Sequence, residues 1–67
     1  MAIHKVIEVL AESDKSWEDA ARQAVADASK TVKNIRSIYI KNQVATVVKG
    51  KIAHFRVNAK ITFEVTG

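Results

Sequence analysis

The sequence predicts an α+β chain in the order strand, helix, strand, strand. Three observations predict it: a β-branched run near the start, one stretch in which apolar residues recur every three or four positions, and two long stretches of period two divided by a glycine. Residues 3–10, Ile-His-Lys-Val-Ile-Glu-Val-Leu, suit a pleated surface, and the polar run from Ala11 to Ser16 closes that strand as a loop. The period then changes. Trp17, Ala20, Ala21, Ala24, Val25, Ala28 and Val32 recur at helical spacing, with Glu18, Asp19, Arg22, Gln23, Asp27 and Lys30 between them, which predicts one amphipathic helix over 17–33.

Ser16 ahead of Trp17, with Asp19 three residues on, matches a capping box, in which each side chain satisfies an orphan backbone N–H. Glu18 and Asp19 sit at the positive end of the helix dipole, and Lys30 and Lys33 complement the other end. The apolar face of the helix is mostly alanine. Small side chains let a sheet approach closely and leave the bulk to Trp17, Val25 and Val32; Trp17 reads as a core or interface anchor.

In the last segment Phe55, Val57, Ala59, Ile61, Phe63 and Val65 alternate with His54, Arg56, Asn58, Lys60, Thr62 and Glu64 without a break. In the segment before it Ile38, Ile40, Val44 and Val48 form the expected apolar side and Ser37, Tyr39, Lys41 and Gln43 the polar one, with Asn42 and Thr46 interrupting the pattern. Lys49-Gly50-Lys51 separates the two strands as a hairpin turn, Gly50 supplying positive φ.

Length and composition set the stability problem. One domain, residues 1–67, is all the chain allows, and a domain that short buries only about 60% of the surface its unfolded form exposes. No cysteine is present to form disulfides or a thiolate metal site, and two histidines far apart do not suit structural zinc. Oligomerisation is the remaining route to stability. Spacing supports this: a strand of 15 residues runs roughly 50 Å, whereas a compact chain of this length has a radius of gyration of about 11 Å, so the hairpin is expected to curl or to project and pair with copies of the same chain. With no apolar run long enough to span a bilayer and no signal-like start, a cytoplasmic protein without membrane contact is the expectation.

Charge is unevenly spread along the chain. Residues 1–27 hold six acidic and three basic side chains, whereas residues 28–63 hold eight basic ones and no acid. A projecting basic hairpin would attract phosphates, which raises anion or nucleic-acid binding as an alternative function; solvation of exposed strands explains the same lysines, and aromatic residues for base stacking are scarce. His4 and His54 fall on polar strand faces, and no nucleophile–base–orienter set can be assembled, so the chain is not expected to be an enzyme.

The start His4-Lys5-Val6-Ile7-Glu8-Val9, the run Ser16-Trp17-Glu18-Asp19-Ala20, the run Ala28-Ser29-Lys30-Thr31-Val32-Lys33-Asn34-Ile35 and the last strand, Ala53-His54-Phe55-Arg56-Val57 to Thr62-Phe63-Glu64-Val65, together resemble the dodecins over nearly the whole chain. The resemblance implies a β-α-β-β fold, with a three-stranded antiparallel sheet half-wrapped around one helix, and subunits assembled into a hollow homododecamer. It also implies storage or sequestration of a small ligand, in the family a flavin (FMN or riboflavin) bound in stacked pairs. In typical members a Trp of the second strand, in a Trp-x-Glu-Val context, stacks on the flavin ring, and a Gln of the last strand, in a Tyr-Gln-Val context, hydrogen-bonds its edge. Those positions fall on Ser37 and Arg56. Without the indole, typical flavin stacking is expected to be weakened or lost, with Arg36 and Tyr39 lying beside Ser37 in the family pocket and Arg56 suited to an anionic group. Decay of the pocket to a purely structural shell is a further alternative. A branch lacking the strand Trp resembles this chain at Asn34-Ile35-Arg36, and one such branch is associated with calcium; here Glu8, Glu12, Asp14, Glu18 and Asp19 are the only clustered carboxylates, and they follow no EF-hand spacing.

Overall fold

A computed structural model describes residues 2–65, and the chain forms β1 (Ile3–Ser13), α1 (Trp17–Ala28), β2 (Ile35–Val48) and β3 (Lys51–Val65). The strands make one antiparallel sheet in the order β1-β3-β2, with α1 across one face and touching all three strands. The expected α+β topology, β-α-β-β with a three-stranded antiparallel sheet around one helix, is the observed one. β3 occupies the centre because it alone alternates strictly: Val57, Ala59 and Ile61 point to the helix and are fully buried, while Phe55 and Phe63 flank them half-buried. Against them lie Ala20 and Ala24 of α1, whose small side chains bring helix and sheet together. These five residues are the buried apolar core.

The helix is shorter than its period predicts. It ends at Ala28 rather than 33, because the Ser29 hydroxyl donates to the Val25 carbonyl at 2.7 Å, and the amides of Lys30 and Thr31 bond back only three residues, to Asp27 and Ala28. Asn34 then reverses the chain in the left-handed region, at φ 62°. Val32 therefore packs from a turn, not from the helix. Lys30 and Lys33 fall outside the last helical turn, which holds no basic residue, so the expected complement to the dipole there is not formed.

At the other end the cap is half of the expected box. Ser16, in an extended conformation, accepts from the Asp19 amide at 2.9 Å, but the Asp19 carboxylate turns away from the Ser16 backbone to take hydrogen bonds from the Ser13 hydroxyl and the Gln23 amide, each at 2.6 Å. β1 continues to Ser13, past the expected end at Leu10, because its edge keeps pairing with β3 as far as Phe55.

β2 departs most from the sequence reading. Its register with β3 shifts between Ile35 and Ser37, between Ile40 and Asn42, and between Thr46 and Val47. Each extra residue moves the following side chains to the opposite face. Ile38 and Ile40 face the helix opposite Ile61 and Ala59, but after the second shift Gln43 and Ala45 take that side and Val44 lands beside Arg56 on the outer face, half exposed. Val48 is likewise exposed, opposite Lys51. The interruption at Asn42 marks a place where β2 changes phase, whereas at Thr46 the extra residue, Ala53, belongs to β3.

The hairpin closes through two left-handed residues, Lys49 at φ 53° and Gly50 at φ 76°, a pairing that matches the twist of the flanking strands. The ribbon beyond Ser13 has no β1 neighbour and projects, giving a molecule 51 Å long with a radius of gyration of 13.7 Å. Ser16→Ala removes the one side-chain cap of the helix. The expected cost is about 1 kcal/mol, seen as a lower urea midpoint at fixed protein concentration with an unchanged slope.

Candidate functional site

The face of the sheet away from the helix carries most of the candidate residues. Its rows are set by the two registers: Val6, Thr62 and Ser37; Glu8, Lys60 and Tyr39; Leu10, Asn58 and Asn42; Glu12, Arg56 and Val44. Ser37 and Tyr39 occupy neighbouring rows of this face, and Tyr39 is 64% exposed, so its ring lies open about 7 Å along the strand from Ser37. Arg36 sits at the first β2 irregularity, where its Nε donates to Glu64 at 3.3 Å.

Arg56 stands apart from this group. Thr62, the partner of Ser37, is six residues along β3 from Arg56, a separation of roughly 20 Å. The Arg56 guanidinium donates through Nε and a terminal nitrogen to one oxygen of Glu12, at 3.2 and 3.0 Å. One chain therefore brings Arg36, Ser37 and Tyr39 together and holds Arg56 elsewhere.

Antiparallel pairing also resolves the charge asymmetry. Glu8 and Glu12 of β1 lie opposite Lys60 and Arg56, and the Lys41 ammonium reaches across β3 to Glu8 at 3.5 Å. Acid from the first half of the sequence thus neutralises much of the basic second half on one face. These pairs are exposed and worth at most about 1 kcal/mol each, so their effect is on the surface potential more than on stability.

Trp17 is a packing anchor, as its place on the apolar face suggests. Its ring meets Phe55 edge to face, with centroids 4.9 Å apart, and its indole N–H donates to the Val44 carbonyl at 3.0 Å. That bond ties the start of α1 to the middle of β2. Sequence reading could not see this contact, because it depends on the change of phase that brings Val44 alongside Arg56.

Four of the five clustered carboxylates, all but Asp14, have side-chain partners within the chain. Glu8 is paired with Lys41, Glu12 with Arg56 and Glu18 with Arg22, while Asp19 accepts from Ser13 and Gln23. Among the described residues no three His, Asp or Glu side chains converge on a position that could hold a metal ion. Neither histidine meets a catalytic set: His4 lies opposite Glu64 in the sheet, and His54 is 3.4 Å from the Thr46 hydroxyl.

Among the described residues Asp19 is held clearly below its ordinary range, chiefly by the hydrogen bond from Ser13; burial opposes this as the next largest influence, and Gln23, Lys15 and Arg22 add smaller help. A carboxyl lowered in the folded state adds stability that is fully present above its unfolded value of about 3.9 and is lost as pH falls through the folded one.

The outer face leaves Val6, Leu10, Tyr39 and Val44 at least half exposed, and the Asn58 carbonyl oxygen, buried at its centre, has no partner. One helix on a three-stranded sheet, bare on its other face and extended into a ribbon, defines a class of small β-α-β-β subunits. The Dodecin family model matches residues 3–66, and the chain belongs to that family, whose members bind small ligands. It is 35% identical to the calcium dodecin of Mycobacterium tuberculosis over 66 residues, covering 97% of this chain and 92% of that protein. The crystal structure of that relative, described as calcium chelating and as having a novel calcium-binding site, superposes with a TM-score of 0.82 at 34% identity, covering 96% of this chain and 91% of that one. The dodecin of Streptomyces coelicolor matches with a TM-score of 0.93 at 26% identity, over 98% of this chain and 94% of that one. An arginine-to-alanine variant of the Thermus thermophilus dodecin shares the fold along the whole of both chains, with a TM-score of 0.94 at 21% identity.

Ser13→Ala is expected to raise the Asp19 pKa back toward the ordinary carboxylate range, read by NMR titration of the carboxyl carbon. Acid stability below about pH 4 should then depend less steeply on pH.

Proposed function

We propose that the protein is a self-assembling shell, a homododecamer of the dodecin kind, that sequesters a small ligand at sites formed where subunits meet, and that the typical flavin stack is weakened or lost. The separation of Ser37 and Arg56 carries this reading. Both lie on the bare face of the sheet, yet roughly 20 Å apart on one chain, so a pocket holding both has to draw them from different subunits. The exposed apolar residues of that face and the unpartnered Asn58 oxygen support its being covered in the assembly.

A serine offers no platform for an isoalloxazine ring. Stacking on an aromatic residue is worth about 1–3 kcal/mol per ring by analogy with nucleobases, so its loss lowers affinity by up to roughly a hundredfold for each ring. Tyr39 supplies a nearby aromatic ring, and Arg36 and Arg56 supply donors for an anionic group. In one chain both arginines are engaged by glutamates, which a ligand would have to displace.

A second reading is calcium, favoured by the name and structure of the relative at 35% identity. Since no three His, Asp or Glu side chains converge among the described residues of one chain, this reading places calcium between subunits of the assembled protein.

Riboflavin at about 100 μM, near the affinity at which binding is worth roughly 5 kcal/mol, should keep its fluorescence in the presence of the native protein. Ser37→Trp combined with Arg56→Gln should quench it with at least tenfold tighter affinity. Strong quenching by the native protein would refute the loss of the flavin stack, and an unresponsive double variant would refute the placement of the pocket. Calorimetry on EDTA-stripped protein separates the calcium reading: heat on adding calcium supports it, and its absence from assembled protein dismisses it.

A further inference from the structure

We infer that the tip of the β2–β3 hairpin of one subunit seats in the groove between α1 and β1 of a second copy of the chain. This rests on the self-assembly reading above and names a contact through which assembly proceeds. The tip has the character of a knob. Beyond the row of Ser13 and Phe55 the ribbon has no third strand, and there Val47, Val48 and Ile52 are 63%, 57% and 55% exposed. Lys49 and Lys51 flank the turn, and residues 45–54 include no carboxylate. Two consecutive left-handed residues fix the shape of the turn, and a two-stranded ribbon carrying this much apolar surface is not stable on its own.

The groove has the complementary character. It is open, about 640 Å³ in volume, walled by Ile7, Leu10, Ala24 and Ala28, with Glu12 and Asp27 on its rim and no lysine or arginine in its lining. That volume lies within the range, about 300–1,000 Å³, of sites that enclose a compact apolar ligand. Glu12 and Asp27 already meet Arg56 and Lys30, but both pairs are exposed, and a carboxylate has lone pairs for more than one cation.

The other groove of similar position discriminates by charge. Between α1 and β2, at about 400 Å³, it is lined by Ala21, Val25 and Ile38 together with the Glu18–Arg22 ion pair, so it offers the lysines of the tip no net negative charge, whereas the groove beside β1 is lined by two carboxylates and no base.

A chain cannot fill its own groove. The row of Val9 and Ala59, at the level of the groove, is nine residues along β3 from Gly50, a distance of roughly 30 Å along a continuous sheet. The contact is therefore between copies and head to tail: each subunit offers a tip and receives one, the arrangement that closes into rings.

Because the chain has no cysteine, the contact can be trapped specifically. Val48→Cys protein, co-refolded with Ala28→Cys protein and oxidised, should give mainly the mixed disulfide dimer, with little dimer from either variant alone. Light scattering of the same samples separates the two levels of the proposal. Assembled protein without enrichment of the mixed dimer overturns this contact and leaves self-assembly standing; a monomer at micromolar concentration overturns both. The charge test is independent of thiol geometry. Lys49→Glu with Lys51→Glu should raise the concentration for half-assembly at least tenfold, and adding Asp27→Lys should recover most of that loss; an unchanged assembly midpoint, or no recovery, overturns the pairing.

Discussion

The structure depends on a mismatch of lengths between α1 and the central strand. α1 has 12 residues and spans about 18 Å, whereas β3 has 15 residues and runs roughly 50 Å. One helix therefore covers only the stretch of β3 from Phe55 to Phe63, and the core is confined to Val57, Ala59 and Ile61 against two alanines. No packing within one chain removes this deficit, since the helix cannot lengthen past Ser29 without losing the turn that delivers Asn34 to β2. What is left over is one bare sheet face and one projecting ribbon.

Contacts at the ends of the helix compensate for the small middle. At the start of the helix, Ser16 caps the backbone, Ser13 and Gln23 hold Asp19, and Trp17 reaches over Phe55 to the Val44 carbonyl. These bonds link β1, α1, β2 and β3 at one level of the sheet, just before the ribbon leaves the domain. Polar and aromatic contacts fix the orientation there, where apolar burial is thin. The ribbon is thereby launched in a defined direction.

The fold was legible in the sequence wherever one period held. Strict alternation from Phe55 to Val65 gave β3 its buried face and its central place, and the run from Trp17 to Ala28 gave the helix. It became illegible where local hydrogen bonding overrode the period. Val32 continues the helical spacing but follows Ser29, whose hydroxyl and amide both donate to the Val25 carbonyl and beyond which the Lys30 and Thr31 amides bond back only three residues. Val44 continues the alternation of Ile38 and Ile40 in number but not in space, because a single shifted residue reverses the faces. The residues of the candidate site were legible one at a time, while their separation was not: Ser37 and Arg56 are 19 positions apart in a hairpin whose register alone decides whether they meet.

That separation bears on how ligand binding and assembly are linked. If the pocket lay within one chain, affinity would be independent of the oligomer. In the proposed arrangement, where the pocket draws Ser37 and Arg56 from different subunits, ligand binding would stabilise the assembled state over the free chain. The glutamates act on the same balance: Glu12 holds Arg56 and Glu64 holds Arg36 within each chain, so an anionic ligand competes with partners already in place. With serine in place of an aromatic platform, the proposed pocket would lack the stacking part of the binding energy and keep the charge-dependent part. On the proposed reading, recognition would rest on which ion can reorganise those ion pairs across a subunit boundary.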